Sequence, residues 1–188
     1  AASLAAYYQR IPVGHVEAGL RTGDIYAPFP EEMNRRLTDD IADMLFAPTP
    51  GARDNLLAAG NDAADIHVTG NTVIDALLQV VGRLRGDAAL TAKLAAELPY
   101  PGGGRRLILV TGHRRENFGQ GFQDICGAIR RLAERDDVDI VYPVHLNPNV
   151  QQPVNDILAG LANVHLLAPL DYLPFVFLMD RADLVLTD

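Results

Sequence analysis

Four short apolar runs constrain this chain more than any other feature: Leu107–Val110, Ile140–Pro143, Val164–Leu167 and Leu184–Leu186. None alternates cleanly between apolar and polar, as a strand with one wet face would. Near-continuous apolar runs of this length belong to strands covered on both sides, which parallel sheets require. The stretches between them, Phe122–Glu134, Val150–Leu158 and Leu173–Met179, repeat their apolar residues at helical spacing. Strand and helix in strict alternation predict an α/β fold with parallel sheets between helical layers.

The first part of the chain follows the same grammar. A helix at Ala1–Gln9 leads to a strand at Ile11–Val16, opened by Pro12, which strand starts tolerate. A helix from Glu31 to about Asp43 follows Pro28-Phe29-Pro30, with Glu31 and Glu32 placed to complement the helix dipole. Then come a strand at Met44–Ala47, a helix at Pro50–Ala59 with Thr49 as its cap and Pro50 in the first position, and a strand at Ile66–Thr69, where His67 takes the polar place. Gly70-Asn71-Thr72 reads as a hinge before a helix at Val73–Leu84. The segment 86–105 reads as a linker, with a short helix at Leu90–Leu98 before Pro99-Tyr100-Pro101-Gly102-Gly103-Gly104. Ala1 begins a helix with no capping residue before it, and Leu184–Leu186 is a buried type of strand with no crossover helix after it. The chain is therefore expected to be a fragment cut inside structural units at both ends.

Composition removes several function classes. In 188 residues the formal net charge is −8, against the excess of Lys and Arg that nucleic-acid binding relies on. Lys93 is the only lysine, so neither a P-loop nor an internal Schiff base is available near the glycine-rich turns. Cys126 is alone, which excludes an intrachain disulfide and a cysteine metal cluster, and its place on the apolar side of a helix makes it core filler. No ligand spacing for a metal is present. No stretch is long enough to cross a bilayer, and no signal peptide opens the chain; a cytoplasmic setting without nucleic acid or membrane partners is the expectation.

Chemistry gathers where strands end. Leu107–Val110 empties into Thr111-Gly112-His113-Arg114-Arg115-Glu116-Asn117, a turn bearing one imidazole and two guanidiniums, groups suited to oxyanions such as phosphates. Ligands of open α/β sheets bind at such carboxyl ends. His15 and Glu17 flank Val16, so strand alternation would set them on one side. Glu31 and Glu32 open a helix on which Arg35 and Arg36 follow one turn later, and His145 follows the strand Ile140–Pro143. The set suits acid–base work on a substrate with an anionic leaving group. For Glu32, Arg36 and Arg115 a structural salt-bridge role is preferred.

Five blocks then carry a resemblance. His15-Val16-Glu17-Ala18-Gly19-Leu20-Arg21-Thr22-Gly23-Asp24, Pro30-Glu31-Glu32-Met33-Asn34-Arg35, Gly70-Asn71-Thr72-Val73-Ile74-Asp75, Thr111–Asn117 and Tyr142-Pro143-Val144-His145-Leu146-Asn147-Pro148-Asn149 resemble, in order, the bacterial non-hydrolysing UDP-N-acetylglucosamine 2-epimerases. The resemblance implies parts of two Rossmann-like parallel-sheet domains facing across a cleft, as in GT-B glycosyltransferases: residues 1–70 as the carboxyl-side part of the first and 71–188 as the first part of the second, UDP-binding one. It implies an isomerase needing no cofactor and no metal. UDP-GlcNAc and UDP-ManNAc would be interconverted by elimination of UDP to a 2-acetamidoglucal, followed by re-addition.

Residue by residue, the resemblance makes Glu17 and Glu31 the carboxylates at the sugar and His113 the group that stabilises the departing diphosphate. Arg35 would bind substrate or be oriented by Glu31, and Phe175 would stack near the uracil. Arg114 and His145 would line a second UDP-GlcNAc site of an allosteric kind, and the assembly would be a homodimer. A third acidic residue is expected upstream of residue 1, and a Ser-Gly-Gly phosphate block with a ribose-binding glutamate after Asp188, so the fragment alone is expected to be inactive. Competing readings are a hydrolysing relative that releases ManNAc, an epimerase for a related UDP-diacetamido sugar, and a GT-B glycosyltransferase or non-catalytic nucleotide-sugar-binding module.

Overall fold

The computed structural model describes residues 1–98, 104–112, 114 and 117–188. They form two compact units, Ala1–Ala76 and Leu77–Asp188. The first contains α1 (Ala2–Tyr8), β1 (Gly14–Val16), α2 (Glu31–Ile41), β2 (Met44–Ala47), α3 (Pro50–Ala58) and β3 (Ile66–Val68), and helix α4 (Thr72–Gly86) straddles the division. The second continues with α5 (Ala88–Glu97), β4 (Arg106–Thr111), α6 (Gln120–Leu132), β5 (Val138–Pro143), α7 (Pro148–Leu158), β6 (Val164–Leu167), α8 (Tyr172–Arg181) and β7 (Leu184–Thr187).

Every strand pairing is parallel. In the second unit the order is β6-β5-β4-β7, and odd and even residues of the strands divide between two cores. Ile108, Val110, Ile140 and Tyr142 pack with Phe122, Cys126 and Ile129 of α6 and Val150, Val154 and Leu158 of α7. Leu107, Leu109 and Val141 pack on the other face with Leu84, Leu94, Leu98 and the Val176–Leu178 stretch of α8. Two covered faces explain why these strands read as unbroken apolar runs. The linker expectation for 86–105 is corrected here: as far as Leu98 this segment is core, because α5 lays Leu94 and Leu98 against the sheet. Its Pro99–Gly103 stretch lies outside the described residues.

The first sheet, ordered β1-β2-β3, behaves differently. Leu45, Ala47 and Ile66 bury against Ala52 and Leu56 of α3, whereas Val16, Met44 and Val68 stay exposed. Two covered faces were expected; within this unit only one is packed, and burial alternates along β2 accordingly. Local signals did set the elements. Thr49 accepts a hydrogen bond from the Ala52 amide at 3.1 Å, with Pro50 in the first turn. Asn147 caps α7 in the same way, accepting from Asn149. Helix α7 thus starts at Pro148, two residues before the first apolar position.

Candidate active site

Helix α2 is unusual in what it buries. Its two buried residues are Glu32 and Asp39, seven positions apart and therefore on one face. A carboxylate out of water is costly unless donors saturate it, and here donors come from β1, the turn that follows it and α2 itself. Asp39 receives His15 Nδ1 on one oxygen at 2.6 Å and Arg21 Nη1 on the other at 2.7 Å. Glu32 receives Arg36 at 2.9 and 3.1 Å and the Thr22 amide at 3.3 Å, with Arg35 3.5 Å away. Burial alone would raise the Glu32 carboxyl, but Arg36, the Thr22 amide and Arg35 outweigh it and hold the group below the usual carboxylate range.

The turn itself departs from strand geometry at once. Glu17 has φ +66°, a left-handed backbone, immediately after the last residue of β1. Strand alternation therefore ends at Val16, and the expectation that His15 and Glu17 share a sheet face does not hold. Two residues on, Gly19 has φ +81°, and a Cβ there would lie 2.2 Å from the Ala52 carbonyl oxygen at the start of α3. The Gly19 carbonyl accepts from Asn55 of the same helix at 3.0 Å, and Ala18 is fully buried between them. The backbone of this turn is thus held from α2 and α3 together.

Glu17 is half-buried and Glu31 exposed, and among the described residues neither has an ion-pair or hydrogen-bond partner. They lie on segments joined by the Glu32–Thr22 bond. Arg35, expected to bind substrate or be oriented by Glu31, instead pairs with Glu32, so the orientation by Glu31 does not hold. Arg36 and Glu32 take the structural salt bridge that was preferred for them. Asp39 and Asn55 were missed altogether. No signal in α2 marked them: Met33, Leu37 and Ile41 recur every four residues as an apolar stripe, yet Met33 and Leu37 are exposed and the buried face carries Glu32 and Asp39.

In the second unit the strands run outward from β4 through β5 to β6, and β7 then returns to the other side of β4. The reversal between β4 and β7 is the point at which open α/β sheets form a ligand crevice. The Thr111–Asn117 turn leaves β4 there. It is tied down from both neighbouring strands: Tyr142 of β5 donates to the Gly112 carbonyl at 2.7 Å, while Asp188, just past β7, accepts from the Arg114 amide at 2.8 Å and the Asn117 side chain at 3.1 Å. Burial pushes the Tyr142 hydroxyl up, which keeps it a donor. His113, Arg115 and Glu116 lie outside the described residues. Arg114 and His145 are exposed and follow the adjacent strands β4 and β5, at the same sheet edge. Phe175 lies in the second turn of α8, which starts on the carboxyl side of β6, and it packs partly buried on the second core.

Among the described residues no group of three or more His, Cys, Asp or Glu could hold a metal ion, and no helix is long and apolar enough to cross a membrane. Cys126 is fully buried, and its thiol is pushed up to about 11 by burial, in keeping with core filler.

The family model described as UDP-N-acetylglucosamine 2-epimerase matches residues 1–188. A probable UDP-N-acetylglucosamine 2-epimerase of Ralstonia solanacearum is 59% identical over 100% of this chain and 50% of its own length. The UDP-N-acetylglucosamine 2-epimerase of Salmonella typhimurium is 58% identical with the same coverage. The crystal structure of the Neisseria meningitidis UDP-GlcNAc 2-epimerase bound to UDP-GlcNAc superposes with a TM-score of 0.95 at 46% identity, over 100% of this chain and 50% of that one. The chain thus spans about half the length of the curated relatives it matches.

Proposed function

Because the chain belongs to the UDP-N-acetylglucosamine 2-epimerase family, we propose that the whole protein interconverts UDP-GlcNAc and UDP-ManNAc without a cofactor. The C2 proton of the sugar is not acidic enough for direct exchange. One carboxylate removes it as the C1–O bond to UDP breaks, leaving a 2-acetamidoglucal. UDP then re-adds at C1, and the second carboxylate delivers a proton to C2 from the opposite face. Glu17 and Glu31 are the acid–base pair in this reading. His113, with the turn held by Tyr142 and Asp188, stabilises the diphosphate as it departs. Arg35 and Phe175 bind substrate, with Phe175 offering an aromatic face to the uracil.

One observation carries the acid–base assignment. On this turn and helix α2, Glu32 and Asp39 are buried and saturated with donors, whereas Glu17 and Glu31, the carboxylates at the matching positions of the family, are accessible and unpaired among the described residues. The first two are committed to the frame, and the second two are open to a substrate. The Neisseria meningitidis structure with UDP-GlcNAc bound supports the substrate class.

Incubation of the whole protein with UDP-GlcNAc in deuterated water should yield UDP-ManNAc and place deuterium at C2 of both epimers. Absence of both the label and UDP-ManNAc refutes the reading, and free ManNAc as main product would indicate a hydrolysing enzyme instead. The activity belongs to the whole protein, and the 188-residue stretch alone is expected to be inactive. The assembly is a cytoplasmic homodimer in this reading, with a second UDP-GlcNAc at Arg114 and His145 as activator. A rate rising more steeply than first order in UDP-GlcNAc, and losing that steepness in Arg114→Ala, would support the second site.

A further inference from the structure

We propose that Asp39 is a positioning residue for catalysis, a single buried carboxylate that grips both flanks of the turn bearing Glu17 and so holds Glu17 in place without touching it. The inference rests on the epimerase reading only for its kinetic part.

The geometry is specific. Asp39 is 1% exposed and spends both oxygens on this turn. His15, two residues before Glu17, meets one oxygen at 2.6 Å, and Arg21, four residues after it, meets the other at 2.7 Å. Arg21 also donates back to the Leu20 carbonyl at 2.9 Å, which stiffens the far flank. Between the two grips the backbone is left-handed at both Glu17 and Gly19. A non-glycine residue holds such a conformation only when its surroundings over-determine it. Glu17 cannot supply that constraint, since its side chain has no partner among the described residues. The Ala18 amide on the Phe46 carbonyl and Asn55 on the Gly19 carbonyl hold the residues after it; the flanks supply the rest of the constraint, and among the described residues Asp39 is the side chain that binds both of them. With Nδ1–H of His15 donated to the carboxylate, the imidazole is held in one tautomer.

The test uses the whole protein and the variants Asp39→Asn, Glu17→Gln and their combination. Asp39→Asn keeps the shape but opposes an amide donor to one of the two grips. Misplacing a reacting group by about an ångström costs on the order of 100-fold in rate, so kcat should fall about 100-fold with KM within about threefold of wild type. In the double variant the loss should not exceed that of Glu17→Gln alone, because Asp39 acts through Glu17. Losses that multiply, or an unchanged kcat in Asp39→Asn, overturn the proposal. Amide hydrogen exchange gives an arm independent of turnover: residues 17–22 should exchange at least tenfold faster in Asp39→Asn while the strand 107–110 is unchanged. Equal exchange in the turn overturns the proposal even if the protein proves to have another activity. A wild-type protein that does not epimerise while the turn still loosens would refute the functional reading and leave Asp39 as the anchor of this turn. Should Asp39→Asn fail to fold, His15→Gln and Arg21→Lys release one grip each and enter the same cycle and exchange measurement, with the same outcomes.

Discussion

Replacing Gly19 with alanine separates two costs that are usually confounded. The first is conformational: an alanine at φ +81° costs about 1–2 kcal/mol relative to a right-handed backbone. The second is steric, since the new Cβ would lie 2.2 Å from the Ala52 carbonyl oxygen and 2.8 Å from both the Ala52 carbonyl carbon and Leu56 Cγ. Two of those atoms are backbone in the first turn of α3, so no rotamer change relieves them. Forcing such a fit costs about 1–3 kcal/mol, and pushing the turn away also loosens the 3.0 Å bond from Asn55, worth about 1 kcal/mol. The expected total is about 3–6 kcal/mol, a large share of the 5–15 kcal/mol that typically holds a domain together. Gly23 supplies the control: it has φ +87° but nothing within 4 Å of an added Cβ. Gly23→Ala should therefore cost about 1–2 kcal/mol, the backbone cost by itself. Hydrogen exchange of β2 and α3 in the whole protein reads both, and a 3 kcal/mol loss raises exchange limited by unfolding on the order of 100-fold. Equal costs for the two substitutions would refute the argument that close packing on α3 fixes the turn.

Three further outcomes follow from the site. The Glu32 carboxyl titrates below its ordinary range in the folded chain, so the folded state takes up that proton less readily than the unfolded one. Its contribution is complete above about pH 4.3, the unfolded value, and is lost as pH falls through the lowered folded value; Glu32→Gln should be less stable than wild type at pH 7 and show a flatter acid limb in urea titrations. Cys126, at about 11 and fully buried, should react with a thiol reagent at pH 8 only as fast as the protein unfolds, and stoichiometric labelling of the native protein would contradict the packing. His113→Ala should cost about 2–4 kcal/mol in transition-state stabilisation, the usual loss of an oxyanion partner, and a fall in kcat of less than tenfold would make His113 structural.

The second unit was legible because its physics is local. Each strand carries its own signature and two-sided burial leaves an unbroken apolar run, while in the first unit Thr49-Pro50 states where a helix begins. Asn147-Pro148 carries the same signal. Apolar spacing by itself puts the start of α7 at Val150, two residues late, because the cap precedes the first apolar position. The first unit was less legible for the opposite reason. Its order comes from side chains that meet across long separations in sequence. Asp39 binds residues 18 and 24 positions away, and Asn55 reaches back 36. No window of sequence contains both partners of any of these bonds and marks them as partners. The left-handed backbone at Glu17 was equally hidden, since strand alternation extended one residue too far gives the wrong face.

Glu31 and Glu32 show where pattern reading stops and packing decides. As neighbours in a helix they differ by about 100° in direction and by nothing in chemistry. In sequence either could serve as the reactive carboxylate or as the brace for Arg36. Burial separates them: once Asp39 faces the turn after β1, Glu32, seven residues earlier, must face it too, and Glu31 is carried out to solvent. The buried member of the pair is then committed, because a carboxylate saturated by Arg36 and the Thr22 amide has no freedom to gain and lose a proton near neutral pH. The exposed member has no such donors and sits on a helix that the buried member ties to the Glu17 turn through the Thr22 amide. The division of labour between two identical side chains is thus set by a third, Asp39.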